Sequence, residues 1–108
     1  MRGRGYSKYG AVKTVVDGVT FASKAEARRY GELKLLASTK EITDLRLQPK
    51  FDLVAGVRYI ADFSYYQGPK KNEHLVVEDV KGMETRVFKL KLKLFRHFYP
   101  HIDLRIVK

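Results

Sequence analysis

Val76-Val77-Glu78-Asp79-Val80-Lys81-Gly82 is the stretch on which the fold turns. Read as a strand, it sends Asp79 and Lys81 out of one face, while Glu78 and Val80 leave by the other. A carboxylate beside an amine on a buried strand can hold a metal ion next to a water molecule. The same residues also suit a strand end where apolar side chains give way to a solvated, salt-bridged tail. Which reading holds depends on what the rest of the chain places nearby.

Moving upstream, Gln67 to Asn72 forms a short loop with Gly68, Pro69, Lys70 and Lys71, and before it Arg58 to Tyr66 reads as a strand. So short a connection makes that strand and Leu75–Val80 an antiparallel hairpin. Tyr59, Ala61, Phe63 and Tyr65 fall on one face of the strand, and Ile60, Asp62 and Ser64 on the other. Asp62 therefore lies within an apolar and aromatic strand, where an unpaired carboxylate is costly. Ala55-Gly56 marks a tight turn. Before it, Leu45, Leu47, Phe51 and Leu53 alternate with polar residues as a half-buried strand, in which Pro49 indicates an edge or a bulge.

Further upstream, Ser23-Lys24-Ala25-Glu26 opens a helix expected to run to about Ala37, with serine as N-cap and glutamate completing a capping box. Ala22, Glu26, Arg29, Leu33, Leu36 and Ala37 share its inner face. A glutamate that only caps has no need to face the core. Two short apolar runs from Val12 to Phe21 flank Asp17-Gly18, a strong hairpin signal. Met1 to Tyr9 carries Arg2, Arg4 and Lys8 without hydrophobic periodicity and reads as a flexible basic arm.

Downstream, Glu84 to Tyr99 alternates like a strand around Leu90, Leu92 and Leu94, but some fifteen residues without a breaker, ending at Pro100, fit a helix. Val87, Phe88, Leu90, Leu92, Leu94, Phe95, Phe98 and Tyr99 fill a broad apolar arc, with Arg86, Lys89, Lys93 and Arg96 opposite. Lys91 falls inside that arc, either snorkelling at the core border or reaching towards phosphate. Ile102, Leu104 and Ile106 form a closing strand.

The resulting expectation is an α+β (α/β-class) domain of 108 residues. Its core is αβββαβ, a central mixed sheet flanked by two helices, and an N-terminal β-hairpin precedes it. Asp62 and Asp79 on adjacent strands can approach a common cation, and the first helix can add Glu26. His74, His97 and His101 show no ligand spacing. Lys and Arg number 22 against 12 Asp and Glu, a formal charge of +10 that favours polyanions, nucleic acid above all. Cysteine is absent, which fits a reducing cytoplasmic setting, and no apolar window is long enough for a membrane span.

On these residues the chain resembles the PD-(D/E)XK nuclease superfamily, whose signature is an acid on one strand and acid-any residue-lysine on the next. Asp62 and Asp79-Val80-Lys81 match it, and Glu26 matches the acid many members carry on the first helix. Tyr59-Ile60-Ala61-Asp62-Phe63 lacks the proline that names the motif. Lys8-Tyr9-Gly10, Ser23-Lys24-Ala25-Glu26-Ala27, Leu47-Gln48-Pro49-Lys50-Phe51 and Val77 to Gly82 look like a small phage-encoded family within that superfamily, placed near Holliday-junction resolvases. A phage origin puts the protein in the host cytoplasm.

The resemblance implies a Mg²⁺-dependent DNA phosphodiesterase, with Mn²⁺ able to substitute. Asp62, Asp79, the Val80 carbonyl and Glu26 are its metal ligands, Lys81 serves the attacking water, and Gln48 lies near the site. The basic arm, Lys70, Lys71, Lys89, Lys93 and Arg96 suit phosphate contacts without base reading, which fits a branched, four-way substrate. Paired cuts need two sites, so a homodimer is the economical expectation, and its interface could use part of the aromatic surface of Tyr59, Phe63 and Tyr65 if one sheet face is left uncovered. A non-catalytic nucleic-acid-binding module and a nicking or flap nuclease are the alternatives.

Overall fold

The computed structural model describes residues 12–108. Arg2, Arg4 and Lys8 of the expected arm lie outside the described residues. Strands β1 (Thr14–Val16) and β2 (Val19–Phe21) form the expected N-terminal hairpin. Its turn residues, Asp17 and Gly18, both have positive φ, at 54° and 75°. That matches the right-handed twist of the two strands, and aspartate and glycine tolerate it best.

Helix α1 spans Lys24–Ser38, and the Ser23 hydroxyl accepts the Glu26 N–H at 3.1 Å, as an N-cap should. Its buried residues are Glu26, Ala27, Tyr30 and Leu33. A four-stranded sheet follows in the order β3-β6-β7-β8: β3 (Ile42–Leu47), β6 (Phe63–Gln67) and β7 (His74–Val80) are antiparallel neighbours, and β8 (Asp103–Val107) joins β7 in parallel. A parallel neighbour requires a crossover, which α2 (Arg86–Phe98) supplies. The class is therefore the expected mixed α+β one.

Two strands expected to be continuous are broken. The run from Leu45 to Leu53 divides at Gln48-Pro49 into β3 and β4 (Lys50–Asp52), because Gln48 adopts a left-handed φ of 51° and proline offers no N–H to a ladder. The run from Arg58 to Tyr66 divides at Ala61-Asp62 into β5 (Arg58–Ile60) and β6. β4 and β5 pair only with each other, as a hairpin inserted between two strands of the main sheet.

The break also corrects the expected faces. Tyr59 and Ala61 pack with Val77, Phe88, Leu92 and Phe95 beneath α2, whereas Phe63 and Tyr65 pack with Phe21, Tyr30, Leu33 and Val76 beneath α1. The aromatic interface expected from Tyr59, Phe63 and Tyr65 is accordingly not a surface, since all three are buried. Helix α2 uses a narrower stripe than expected: Phe88, Leu92 and Phe95 are buried, while Val87, Leu90 and Phe98 face solvent. Lys91 is half-buried at the border. Among the described residues, no helix is long and apolar enough to cross a membrane.

Candidate functional site

β7 carries two consecutive acids that leave by opposite faces, as alternation requires. Glu78 is fully buried on the α1 side and Asp79 is 1% exposed on the other. Pairing of Phe63 with Glu78 sets Asp62 beside Asp79, just where β6 begins. The backbone holds Asp62 on two sides, its N–H donating to the Glu78 carbonyl at 3.1 Å and its carbonyl accepting the Gln48 N–H at 2.9 Å. One Asp62 oxygen, Oδ2, also accepts the Val80 N–H at 2.7 Å.

Asp79 Oδ2 accepts a 2.6 Å hydrogen bond from the Tyr59 hydroxyl. Its Oδ1 is buried with no hydrogen-bond partner, and Lys81 Nζ stands 3.7 Å away. The Lys81 ammonium also lies 4.8 Å from the centre of the Phe88 ring, a cation–π contact that steers it over the site.

Burial, then hydrogen bonding to the adjacent Asp79 carboxyl, pushes the Asp62 carboxyl up to about 8, against the lowering effect of the Val80 N–H. Two carboxylates in contact cannot both ionise cheaply. Glu26 is raised as well, first by burial and then by the Asp79 charge, with Lys81 opposing. The Tyr59 hydroxyl is held far above its ordinary value, by burial and by its bond to Asp79. Glu26, Asp62, Asp79 and Lys81 are thus within electrostatic reach of one another.

Among the described residues, no three His, Cys, Asp or Glu side chains are arranged so as to hold a metal ion. The donor chemistry still fits a hard divalent cation. Two adjacent carboxylates, one with a buried oxygen that accepts no hydrogen bond, are hard oxygen donors, and Mg²⁺ is commonly bound by one or two carboxylates while it keeps several waters.

The other expected residues scatter. Gln48 is exposed and reaches the site through its backbone, at the Asp62 carbonyl. Lys70 and Lys71 are exposed at the turn joining β6 to β7, the far end of that hairpin, about 17 Å from Asp62 at the rise of a strand. Lys89, Lys93 and Arg96 are exposed along one flank of α2, and the Arg96 charge is felt at Tyr59. His74, His97 and His101 are all exposed.

Two participants went unread in the sequence. Tyr59 counted there only as an aromatic of the sheet. Arg29 was placed on the inner face of α1 without a partner; it binds Glu78 in a fork, Nε to Oε1 and Nη2 to Oε2, both at 2.7 Å. An arginine on a helix's core face requires a buried acid, and that was the available signal. The Tyr65 hydroxyl donates to the same Glu78 carboxylate.

No curated protein and no solved structure matches the chain. Residues 6–108 match the model of a family described as "Protein of unknown function (DUF1064)", and the chain belongs to that family.

Proposed function

We propose that the protein is a Mg²⁺-dependent, structure-selective DNA endonuclease of the PD-(D/E)XK type, acting on four-way junctions. The observation that carries this reading is the half-buried Asp62 beside the buried Asp79, whose Oδ1 accepts no hydrogen bond and has the Lys81 ammonium 3.7 Å from it. A carboxyl raised by partial burial and a neighbouring acid, beside a lysine, is the kind of perturbed group that clusters at functional sites. Asp62 and Asp79 would hold the ion, and the resemblance adds the Val80 carbonyl and Glu26 to the set, Glu26 being within electrostatic reach of both acids. Mn²⁺ would serve in place of Mg²⁺.

Bound there, Mg²⁺ supplies a Lewis acid to the phosphoryl group and lowers the pKa of a water. Lys81 orients that water by hydrogen bonding and offsets negative charge growing on the phosphate. Tyr59 keeps the Asp79 carboxylate from turning. Water adds to phosphorus, the P–O bond breaks, and the leaving sugar oxygen takes up a proton. The surplus of ten positive charges supports DNA as substrate. A homodimer supplying two sites is part of this reading, and the exposed Val87, Leu90 and Phe98 of α2 offer it apolar surface.

The test is cleavage of a four-way junction, a flap and plain duplex in Mg²⁺, by the wild type and by Asp79→Asn. Paired symmetric nicks on the junction alone, lost in Asp79→Asn while DNA affinity persists, are expected. Cutting of the flap or of duplex redirects the reading to a flap or nicking enzyme. Binding without any cutting in Mg²⁺ or Mn²⁺ leaves a non-catalytic nucleic-acid-binding module.

A further inference from the structure

We propose that the β4–β5 hairpin is a wedge that unstacks bases where the DNA substrate branches; this deepens the nuclease reading and rests on it. The hairpin enters the chain between Gln48 and Asp62, so both its ends sit at the site. It is rigid and anchored. Tyr59 at its base bonds Asp79, Phe51 packs edge-on against Phe95 with ring centres 4.9 Å apart, and the Tyr99 hydroxyl donates to the Asp52 carbonyl at 2.8 Å.

Its turn is equally fixed. The Leu53 N–H donates to the Val57 carbonyl at 2.8 Å and the Val57 N–H to the Val54 carbonyl at 2.9 Å, while Ala55 and Gly56 take positive φ of 52° and 77°.

This projection carries apolar side chains into water: Val54, 45% exposed, and Val57, 39%, at its free end, and Ile60, 51%, at its root opposite Lys50. A single exposed valine needs no explanation, but three such residues on one short projection, in a protein with a formal charge of +10, do. Exposed Lys50 and Arg58 flank them, Arg58 in an exposed ion pair with Asp52 at 3.3 Å, and Arg96 near the end of α2 is within electrostatic reach of Tyr59. Basic residues that hold phosphates around a small apolar point are the arrangement by which proteins pry base steps apart.

The tip lies about 10 Å from Tyr59 at strand rise, roughly three base-pair steps. A wedge at that distance opens the duplex roughly three base-pair steps from the phosphate presented to Asp79. Continuous duplex resists such opening more than a branch, where stacking is already interrupted, so the wedge converts general affinity for phosphate into preference for structure.

The experiment uses the full chain as Asp79→Asn, mixed in Mg²⁺ with a four-way junction carrying 2-aminopurine next to the branch. A several-fold rise in fluorescence on binding is expected. Adding Val54→Ser and Val57→Ser should abolish the rise while leaving junction affinity within a few-fold, because the phosphate contacts remain. Val57→Lys, which keeps an exposed position exposed, gives a second readout if the double variant folds poorly.

A rise retained in full by the serine and lysine variants overturns the wedge, and so does binding with no rise at any position around the branch. A change of oligomeric state on substitution, with the rise intact, overturns it in favour of contact with a second copy. Cleavage by the wild type is followed in parallel. Fluorescence without cutting removes the nuclease reading and leaves the wedge; cutting without fluorescence does the reverse.

Discussion

Glu78 and Asp79 are consecutive on one strand, buried to the same degree, and treated oppositely by their surroundings. Glu78 receives a forked arginine and a tyrosine hydroxyl, so its charge is answered on the α1 side. Asp79 receives one tyrosine, a second acid and a lysine too far away for a hydrogen bond. The first arrangement fastens a helix to the sheet. The second leaves one Asp79 oxygen without a hydrogen bond, beside an Asp62 carboxyl that gives up its proton only at about 8. Because Arg29 lies one helical turn beyond Glu26, the closed pair also fixes the helix that presents Glu26 to the open one.

The largest expected effect comes from breaking the closed side. Glu78→Ala leaves the Tyr65 hydroxyl unpaired and the Arg29 guanidinium with Glu32 alone, and should lower unfolding free energy by about 2–4 kcal/mol. Urea denaturation measures it, and a loss below about 1 kcal/mol would mean that the pair does not clamp α1.

On the open side the sign reverses. Asp79→Asn removes one of two touching acids, keeps an acceptor for Tyr59, and should raise stability by about 0.5–2 kcal/mol while eliminating cleavage. A destabilised Asp79→Asn protein would show that the two acids do not crowd one another.

The same difference predicts a pH response. The Asp62 carboxyl lies above its unfolded value of 3.8, at about 8, so the folded state binds more protons than the unfolded one between them. Its stabilising contribution is complete below 3.8 and lost as pH rises through 8, and the raised Glu26 acts in the same direction. In EDTA the thermal midpoint should fall between pH 5 and pH 9, less so in Asp62→Asn, and Mg²⁺ should restore more at the upper pH than at the lower. A wild-type midpoint that does not fall, or falls as steeply in the variant, removes Asp62 as its source.

The smallest effect is Tyr59→Phe, which keeps the ring against Phe88 and Phe95 but loses the hydroxyl. Mn²⁺ affinity measured by calorimetry should drop about 10-fold, as for outer-shell partners of metal ligands, with the fold intact. Unchanged affinity would reduce Tyr59 to packing.

What the sequence disclosed follows from the range of each signal. Alternation along β7 separates Glu78 from Asp79, and a short loop pairs β7 with β6, because both are local consequences of strand geometry. The Ser23 cap and the Asp17-Gly18 turn are legible for the same reason. The inserted hairpin was hidden because Tyr59, Ala61, Phe63 and Tyr65 keep perfect alternation through a point where the chain changes sides. Every one of them is buried, but in different cores. Periodicity reports that a residue is covered, not by what. Tyr59 at Asp79 and Arg29 at Glu78 are contacts across 20 and 49 residues, which no local pattern contains.

The outer strand β3 has a further consequence. Its pairing with β6 slips between Thr43 and Arg46, where Asp44 takes a positive φ of 55° and its carboxylate turns to the exposed Arg46. A kinked, charged rim gives a neighbouring molecule no straight row of amides to zip onto. Edge-to-edge growth of the sheet is therefore disfavoured along that side, and the slip at Asp44 acts as a guard built into the strand itself.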